Sequence, residues 1–506
     1  MAGAVVPIGD QQSLPAEAGR SRWIALVVLC VGMLMIILDS TIVNVALPAI
    51  QKDLGFSQSN LAWVVNAYLI AFGGLLLLAG RLGDLIGRRR IFLLGLPVFT
   101  GASLLCGLAQ SQAVLIGARF VQGAGGAMTS AVILGMIVTM FPEPREQAKA
   151  IGVYSFVASA GASIGLLAGG ILTQALSWHW IFFVNLPIGV TTALLAIRLV
   201  DRDEGIGLGR GADVLGASLV TGALMLGVYT ILEAGRYGWA SAHTIGFGAA
   251  AVALLVAFLG REARTRVPLV PLRIFRSRNV TGANTIQMLM VAGLFGMFFL
   301  GVLYLQRVLG YDAVETGLAF LPVAGLIGAL SLGFSARLNL RFGAKATLLA
   351  GLVLILAGLL YFSRAPIDGT YVTDVLPVMI LLGVGAGLSF PSLMTLAMSG
   401  ATRNDSGLAS GLVNTSLQVG GAVGLAVLAT LATTRTDSLL ASGDSRASAL
   451  TGGYHYAFLV AAGIVIAAIA VAGTVLSSRV AVAGEAEEAE KAAELITPEP
   501  AYQEAA

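Results

Sequence analysis

Long apolar runs, separated by clusters of turn-forming and charged residues, dominate this chain from end to end. A helix that crosses a bilayer needs about 20 largely apolar residues. The clusters divide the chain into fourteen such runs, near residues 23–47, 61–79, 91–109, 113–139, 148–174, 181–200, 213–233, 243–260, 280–306, 314–335, 346–362, 375–398, 407–433 and 455–477. The first run is longer than the apolar region of a signal peptide. It carries Asp39, Thr41 and Asn44 and leads to no small-residue cleavage site, so it reads as a retained helix. The pattern predicts an all-α membrane protein with 14 transmembrane helices.

An even number of spans puts both termini on one side, and the basic residues choose which. If Arg20 and Arg22 are cytoplasmic, Lys52, Arg236, Arg307, Arg364, Arg435 and Arg446 lie outside and Arg119 lies within the membrane. That leaves 23 basic residues inside against 6 outside. The expectation is a multi-pass protein of the cell membrane with both termini cytoplasmic. At 57% apolar and 11% charged residues, with a mean hydropathy of +0.88, the composition excludes a disordered chain, a nucleic-acid-binding protein and an ordinary soluble enzyme. The net charge of +3 gives no bulk attraction to anionic polymers.

Cys30 and Cys106 both lie in apolar runs, and His179, His243 and His455 are far apart, so no disulfide framework, metal site or resident cofactor is expected. None of the four lysines follows a glycine, which excludes the G-x-x-x-x-G-K-[ST] cradle and an ATP motor. Gly123, Gly125 and Gly126 sit in an apolar helix and read as a packing surface. No hydrophilic segment is long enough for a separate domain. The acidic tail with Glu485, Glu487, Glu488, Glu490 and Glu494 reads as solvated, and any chemistry belongs to the helix bundle.

The loop after the second run spans Gly80 to Arg90 and holds Asp84, Gly87, Arg88 and Arg89. An offset of 256 residues lays Arg81, Leu82, Gly87, Arg89 and Gly95 on Arg337, Leu338, Gly343, Lys345 and Gly351, with Leu340 in the place of Asp84. Two parallel repeats are the plan of a transporter that rocks one half against the other. The organisation expected is a tail at 1–22, a six-helix half at 23–200, a linker with two extra spans at 201–278, a second six-helix half at 279–480 and an acidic tail at 481–506. Gly80, Asp84, Gly87, Arg88 and Arg89 then read as a charge-linked cytoplasmic latch, or more simply as anchors that fix topology.

At this point the residues resemble a known family. Gly80 to Arg90 is similar to the loop signature of the major facilitator superfamily, and Leu38 to Pro48 resembles the first-helix motif of its 14-span drug:proton antiporters, the EmrB/QacA type. Arg119-Phe-Val-Gln122-Gly123 resembles the fourth-helix motif that carries the proton-coupling arginine. Gly152, Gly161, Gly165, Gly169 and Gly170 fit the fifth-helix antiporter motif, with Leu166 where proline is usual. Trp178 to Pro187 resembles the sixth-helix entrance, with His179 where arginine is usual. The resemblance covers residues 23 to 480. It implies a major facilitator fold of two six-helix halves plus two inserted spans, and proton coupling through Arg119.

A carboxylate well inside a span is by default a functional candidate. Asp39 lies roughly 24 Å along its helix from Trp23, and Arg119 about 9 Å from Ala113, which sets both at similar depth. They read as a proton-coupling pair, or as a static ion pair that fixes helix arrangement. Asn44, Asn66, Tyr154, Asn284, Gln287, Asn414 and Gln418 read as hydrogen-bonding groups of an apolar substrate cavity, with bonding between helices an equal reading for each. Phe295, Phe298, Phe299 and Tyr304 read as packed or lipid-facing surface. Glu233, Asp312 and Glu315 read as acids at outer span ends. Glycine accounts for 64 residues, and the stripe of Gly161, Gly165 and Gly169 reads as a smooth interface between the halves.

The function expected is proton-coupled export of apolar or amphipathic small molecules by alternating access, without ATP or nucleic acid. A dedicated exporter of one metabolite or self-made antibiotic is the second reading. A membrane sensor or a lipid-substrate enzyme is the reading from another class, but no signalling domain or nucleophile-base cluster is visible.

Overall fold

The computed structural model describes residues 16–203, 205, 207, 213–265, 268–270, 272–399 and 406–476. Residues 1–15, the acidic tail and parts of the central linker lie outside the described residues. Among the described residues the secondary structure is helical throughout. The helices are α1 Ala16–Leu54, α2 Gln58–Ile86, α3 Arg88–Gly107, α4 Gln112–Met140, α5 Pro144–Ala175, α6 Trp180–Phe183, α7 Asn185–Leu199, α8 Val214–Tyr237 and α9 Ala242–Glu262. After a short 3-10 turn at Leu272–Arg276 follow α10 Arg278–Arg307, α11 Ala313–Ala329, α12 Ser335–Phe342, α13 Ala344–Phe362, α14 Leu376–Met398, α15 Ser406–Ala441 and α16 Arg446–Thr474. Side chains cap the exposed amides where many of these begin. Ser57, Ser111, Asp213, Ser241, Ser277 and Ser445 each accept a backbone N–H, and Asp312 with Glu315 forms a reciprocal capping box.

Eleven of these helices are long and apolar enough to cross a membrane, or twelve with α2, which bends by 45° between Leu76 and Leu78. This criterion reaches eleven or twelve of the fourteen expected spans, because Ile164–Ala175 within α5 and Ala313–Ala329 are shorter apolar helices. In the tenth run the α-helical ladder gives way at Leu330–Phe334 to a π turn before α12. The expected outer loop at residues 434–454 is also corrected, because α15 runs on to Ala441 and α16 starts at Arg446. Residues 442–445 are the loop that remains.

The 256-residue repeat appears as two matching corners. Gly87 joins α2 to α3 at φ +104°, and Gly343 joins α12 to α13 at φ +84°, a left-handed conformation that favours glycine. Just beyond each corner the second helix meets its neighbour through glycines: Gly95 of α3 lies against Gly125 of α4, and Gly351 of α13 against Gly385 of α14. α1 packs on α5 and α7, α2 and α3 on α4; α10 packs on α15 and α16, and α13 on α14. α8 lies against α2 and α15, and α9 packs on α8. Across the bundle α5 meets α11, where Gly170 approaches the backbone of Ala313 and Val314, and Gly317 approaches that of Leu166.

The glycine stripe of α5 faces a different neighbour from the one expected. Gly161 lies against Leu34 and Ile37, Gly165 against Leu38 and Thr41, and Gly169 against Ile42, all on α1. Residues four apart share one helix face, and that face is turned to α1, so Gly170, one position on, is the member that reaches α11.

Candidate functional site

Three helices, α1, α4 and α7, converge on one buried carboxylate. Asp39 of α1 and Arg119 of α4 are both 0% exposed, and Arg119 Nη1 donates to Asp39 Oδ2 at 2.6 Å. Gln122, one turn beyond Arg119, donates to Asp39 Oδ1 at 2.7 Å. Asn185 donates to the same oxygen at 2.9 Å. Its placement depends on the break after Trp178: α6 is only four residues long, and Asn185 opens α7 with Pro187 in its first turn. The Phe182 carbonyl at that break accepts the Ser103 hydroxyl of α3 at 2.9 Å, and Asn185 also donates to Ser103 Oγ at 3.0 Å.

The guanidinium has further anchors. Arg119 Nε donates to the Val64 carbonyl of α2 at 2.9 Å, Nη1 also donates to Gln122 Oε1 at 2.8 Å, and the Tyr68 ring lies 4.4 Å from the guanidinium carbon. An ion pair taken fully out of water persists only when its remaining hydrogen-bonding positions are filled, and here they largely are. A proton arriving on Asp39 Oδ2 would replace the Arg119 bond and leave the other anchors of the arginine standing. Sequence reading found the two charges. It assigned no role to Gln122, Asn185, Ser103 or Tyr68, although Gln122 and Asn185 are letters of the recognised motifs.

The expected loop from Gly80 to Arg90 is helix except at Gly87, the corner between α2 and α3; Arg88 donates to Asp84 Oδ1 from Nε at 3.2 Å and from Nη2 at 3.0 Å, and to the Gly135 carbonyl of α4 at 3.0 Å. Arg89 reaches the Ile197 carbonyl of α7 at 2.6 Å. Gly80 comes no nearer than van der Waals contact to Ala131. A residue missed by the sequence reading is Asp203, whose carboxylate accepts the backbone N–H groups of Arg88 and Arg89 and so caps α3. A Cβ on Gly87 would stand 2.9 Å from the Asp203 carbonyl, which is a second reason for glycine at that corner.

The seven cavity candidates divide. Asn44 spends its amide on the carbonyls of Ser40 and Thr41 in its own helix. Asn284 donates to the Val280 carbonyl and accepts from Ser416 of α15, so it joins α10 to α15. Tyr154 packs partly buried against the core, and Asn414 is exposed on α15. Asn66, both amide atoms of which are buried without a partner, and Gln287 and Gln418, each with an unpartnered buried oxygen, are the members that keep bonding capacity. The aromatic cluster is core: Phe299 and Tyr304 are buried, Phe298 packs on Phe320, and the Tyr304 hydroxyl donates to the Pro366 carbonyl at 2.6 Å.

Two helical groups, the first of which holds a buried charge pair between α1 and α4, can be set beside known proteins. A family model described as Major Facilitator Superfamily matches residues 29–425. The chain belongs to that superfamily. It is 39% identical over 488 residues to the puromycin resistance protein pur8 of Streptomyces alboniger, covering 94% of this chain and 97% of that protein. It is 38% identical over 409 residues to the cephamycin export protein CmcT of Amycolatopsis lactamdurans, covering 80% and 84%. Its fold matches a bacterial homologue of the human lysosomal transporter Spinster, solved in an inward-facing and unoccupied conformation, with a TM-score of 0.65 and 15% identity over 93% of this chain and 99% of that one. The protein is a multi-pass membrane transporter that handles small molecules, not an enzyme.

Proposed function

We propose that this chain is a drug:proton antiporter of the 14-span type, which exports apolar or amphipathic small molecules from the cytoplasm with both termini on the cytoplasmic side. The observation that carries the reading is the fully buried Asp39–Arg119 pair with its two further donors, Gln122 and Asn185. In this reading residues 23–200 and 279–480 are the two halves, and 201–278 carries the inserted pair α8–α9. Asp39 takes a proton from the outer side, lets Arg119 fall back on Val64 and Gln122, and returns the proton to the cytoplasm after the halves have rocked. Asn66, Gln287 and Gln418 supply polar groups to the substrate path.

The energy suffices. About 2.3 kcal/mol per charge for each 100 mV, with about 1.4 kcal/mol for each pH unit, supports roughly a few hundred-fold substrate gradient per proton. A second reading, a dedicated exporter of one antibiotic, is favoured by the relatives named for puromycin resistance and cephamycin export. Uptake of labelled substrates into inside-out vesicles tests both. Accumulation of several unrelated amphiphiles that an uncoupler collapses supports the first reading, and accumulation of one compound class supports the second. Uptake indifferent to the uncoupler refutes proton coupling.

A further inference from the structure

The inserted α8–α9 hairpin has two acids at its base, on the face that carries the Gly87 corner. Asp213 caps α8: its Oδ1 accepts the Gly216 N–H at 2.8 Å and Arg261 Nε at 2.6 Å. Glu262 ends α9, and its Oε2 accepts the Val270 N–H at 2.8 Å, which ties the hairpin to the segment leading into α10. The two residues are 4% and 3% exposed. Each keeps one buried oxygen without a partner, Asp213 Oδ2 and Glu262 Oε1.

Both orphaned oxygens lie beside Gly216. They lie 2.6 and 3.1 Å from where a Cβ on Gly216 would stand, so the glycine leaves the space between them open. Arg261 pairs with Asp213, no cation among the described residues lies within salt-bridge distance of Glu262, and one negative charge is left over in a buried place, which is costly. No group of three or more His, Cys, Asp or Glu able to hold a metal exists among the described residues, so a metal ion lacks donors there. An apolar cluster gathers at this end of the bundle: Ala217 of α8, Phe258 of α9, Leu269, Val270 and Ile274 of the following segment, Val280 of α10 and Leu412 of α15, with Leu78 of α2 and Met398 of α14 against them. Arg261 is the charged group that faces the pair.

We propose that Asp213 and Glu262 hold one proton between them, which makes the base of the inserted hairpin a second proton-binding site, separate from Asp39. The proton bonds to one orphaned oxygen and is donated to the other, so both gain a partner, and with Arg261 the cluster is neutral. When the proton leaves for water, the two oxygens repel each other across Gly216, and the ends of α8 and α9 that hold the segment into α10 are pushed apart. The site thus links pH on that face to the seating of the helices after the linker. It stands whether or not Asp39 is the coupling carboxylate.

The experiment is difference infrared spectroscopy of the full chain in lipid nanodiscs across a pH titration. In an Asp39→Asn background a protonated-carboxyl band is expected to remain, and to be lost on adding either Glu262→Gln or Asp213→Asn. Each amide donates to the surviving carboxylate, which then needs no proton. A band that survives both substitutions, or no titrating band at all, overturns the proposal. Thermal unfolding gives an independent readout. The folded pair binds a proton that separated, solvated carboxylates do not hold near neutral pH, so stability falls as pH rises through the band's midpoint. Glu262→Gln keeps the acceptor for Val270 and is expected to abolish that alkaline fall, whereas Glu262→Ala is expected to melt lower at every pH. A parallel alkaline fall in wild type and Glu262→Gln also overturns it.

Discussion

Replacing Asp39 by asparagine removes the titratable group while keeping its shape, and the structure sets what that costs. The carboxylate accepts three donors, Arg119 on Oδ2 and Gln122 with Asn185 on Oδ1. An asparagine keeps an acceptor for only one side: with its oxygen toward the two amides, its own NH2 points at the guanidinium. Breaking a buried pair by removing one charge costs about 3–5 kcal/mol. Part of this is recovered, because Arg119 retains Val64 O, Gln122 Oε1 and the Tyr68 face, a cation–π contact worth about 2 kcal/mol when desolvated. The net loss is then roughly 1–3 kcal/mol, which a fold of ordinary stability survives with a melting point lower by a few degrees. Asp39→Asn with Arg119→Gln removes the stranded charge and is expected to melt higher than Asp39→Asn alone. In proteoliposomes with an imposed pH gradient, Asp39→Asn is expected to exchange substrate downhill and to accumulate none uphill. Uphill accumulation at the wild-type level would refute the assignment. A double variant no more stable than Asp39→Asn would refute the energetic account.

Asp84→Asn loses the charge that Arg88 clasps outside the cavity, so turnover is expected to fall several-fold with little change in the binding constant; weaker binding at unchanged turnover would place Asp84 in the substrate site. Gly170→Leu puts a side chain where even a Cβ would meet the Ala313 carbonyl at 2.5 Å. It is expected to hold α5 off α11 and raise labelling of an Ala313→Cys reporter by an impermeant maleimide at least several-fold, and unchanged labelling would show that this contact does not seal the path. A monocationic dye is expected to compete better than a dication of similar size, because Asp39 is already paired with Arg119 and Glu315 is engaged in the Asp312 capping box; a preference for the dication that disappears in Glu315→Gln would reverse this.

The parts of the fold legible in the sequence are those where physics leaves few choices. A left-handed corner favours glycine, so Gly87 and Gly343 at a fixed offset announced equivalent helix junctions. A charge in hydrocarbon is expensive, so Asp39 and Arg119 stood out as partners before any geometry was known. Neutral polar residues carry no such signal. Asn44, bonded to its own helix, and Asn185, bonded to Asp39, look alike as letters; only the break between α6 and α7 tells them apart. Periodicity likewise placed Gly161, Gly165 and Gly169 on one face of α5 without saying that the face meets α1. Asp213 and Glu262, at the ends of apolar runs, draw no reading from the sequence; their burial shows only once the helix ends and Val270 are in place.

The position of Asp39 also bears on how a proton reaches the contact between the two groups of helices. The turns of α1 from Leu38 to Val45 carry the carboxylate on one face, with Leu38, Thr41 and Ile42 on the face that receives Gly165 and Gly169 of α5. One turn further on, the Val45 carbonyl accepts Gln306 of α10 at 3.1 Å. Past the α5 stripe, Gly170 rests on α11 and Gln174 donates to Asp312 at 3.0 Å. Two routes from one short segment therefore lead to the second group of helices, one direct and one through α5. Close backbone packing at these glycines leaves no slack to absorb a rotation of α1, because interiors packed this tightly switch between arrangements rather than deform smoothly. Neutralising Asp39 weakens the tie from α1 to α4, which then rests on Gln122, while both routes to α10 and α11 stay engaged, so the first motion expected is of α1 and α5 together against α4, not of α5 alone.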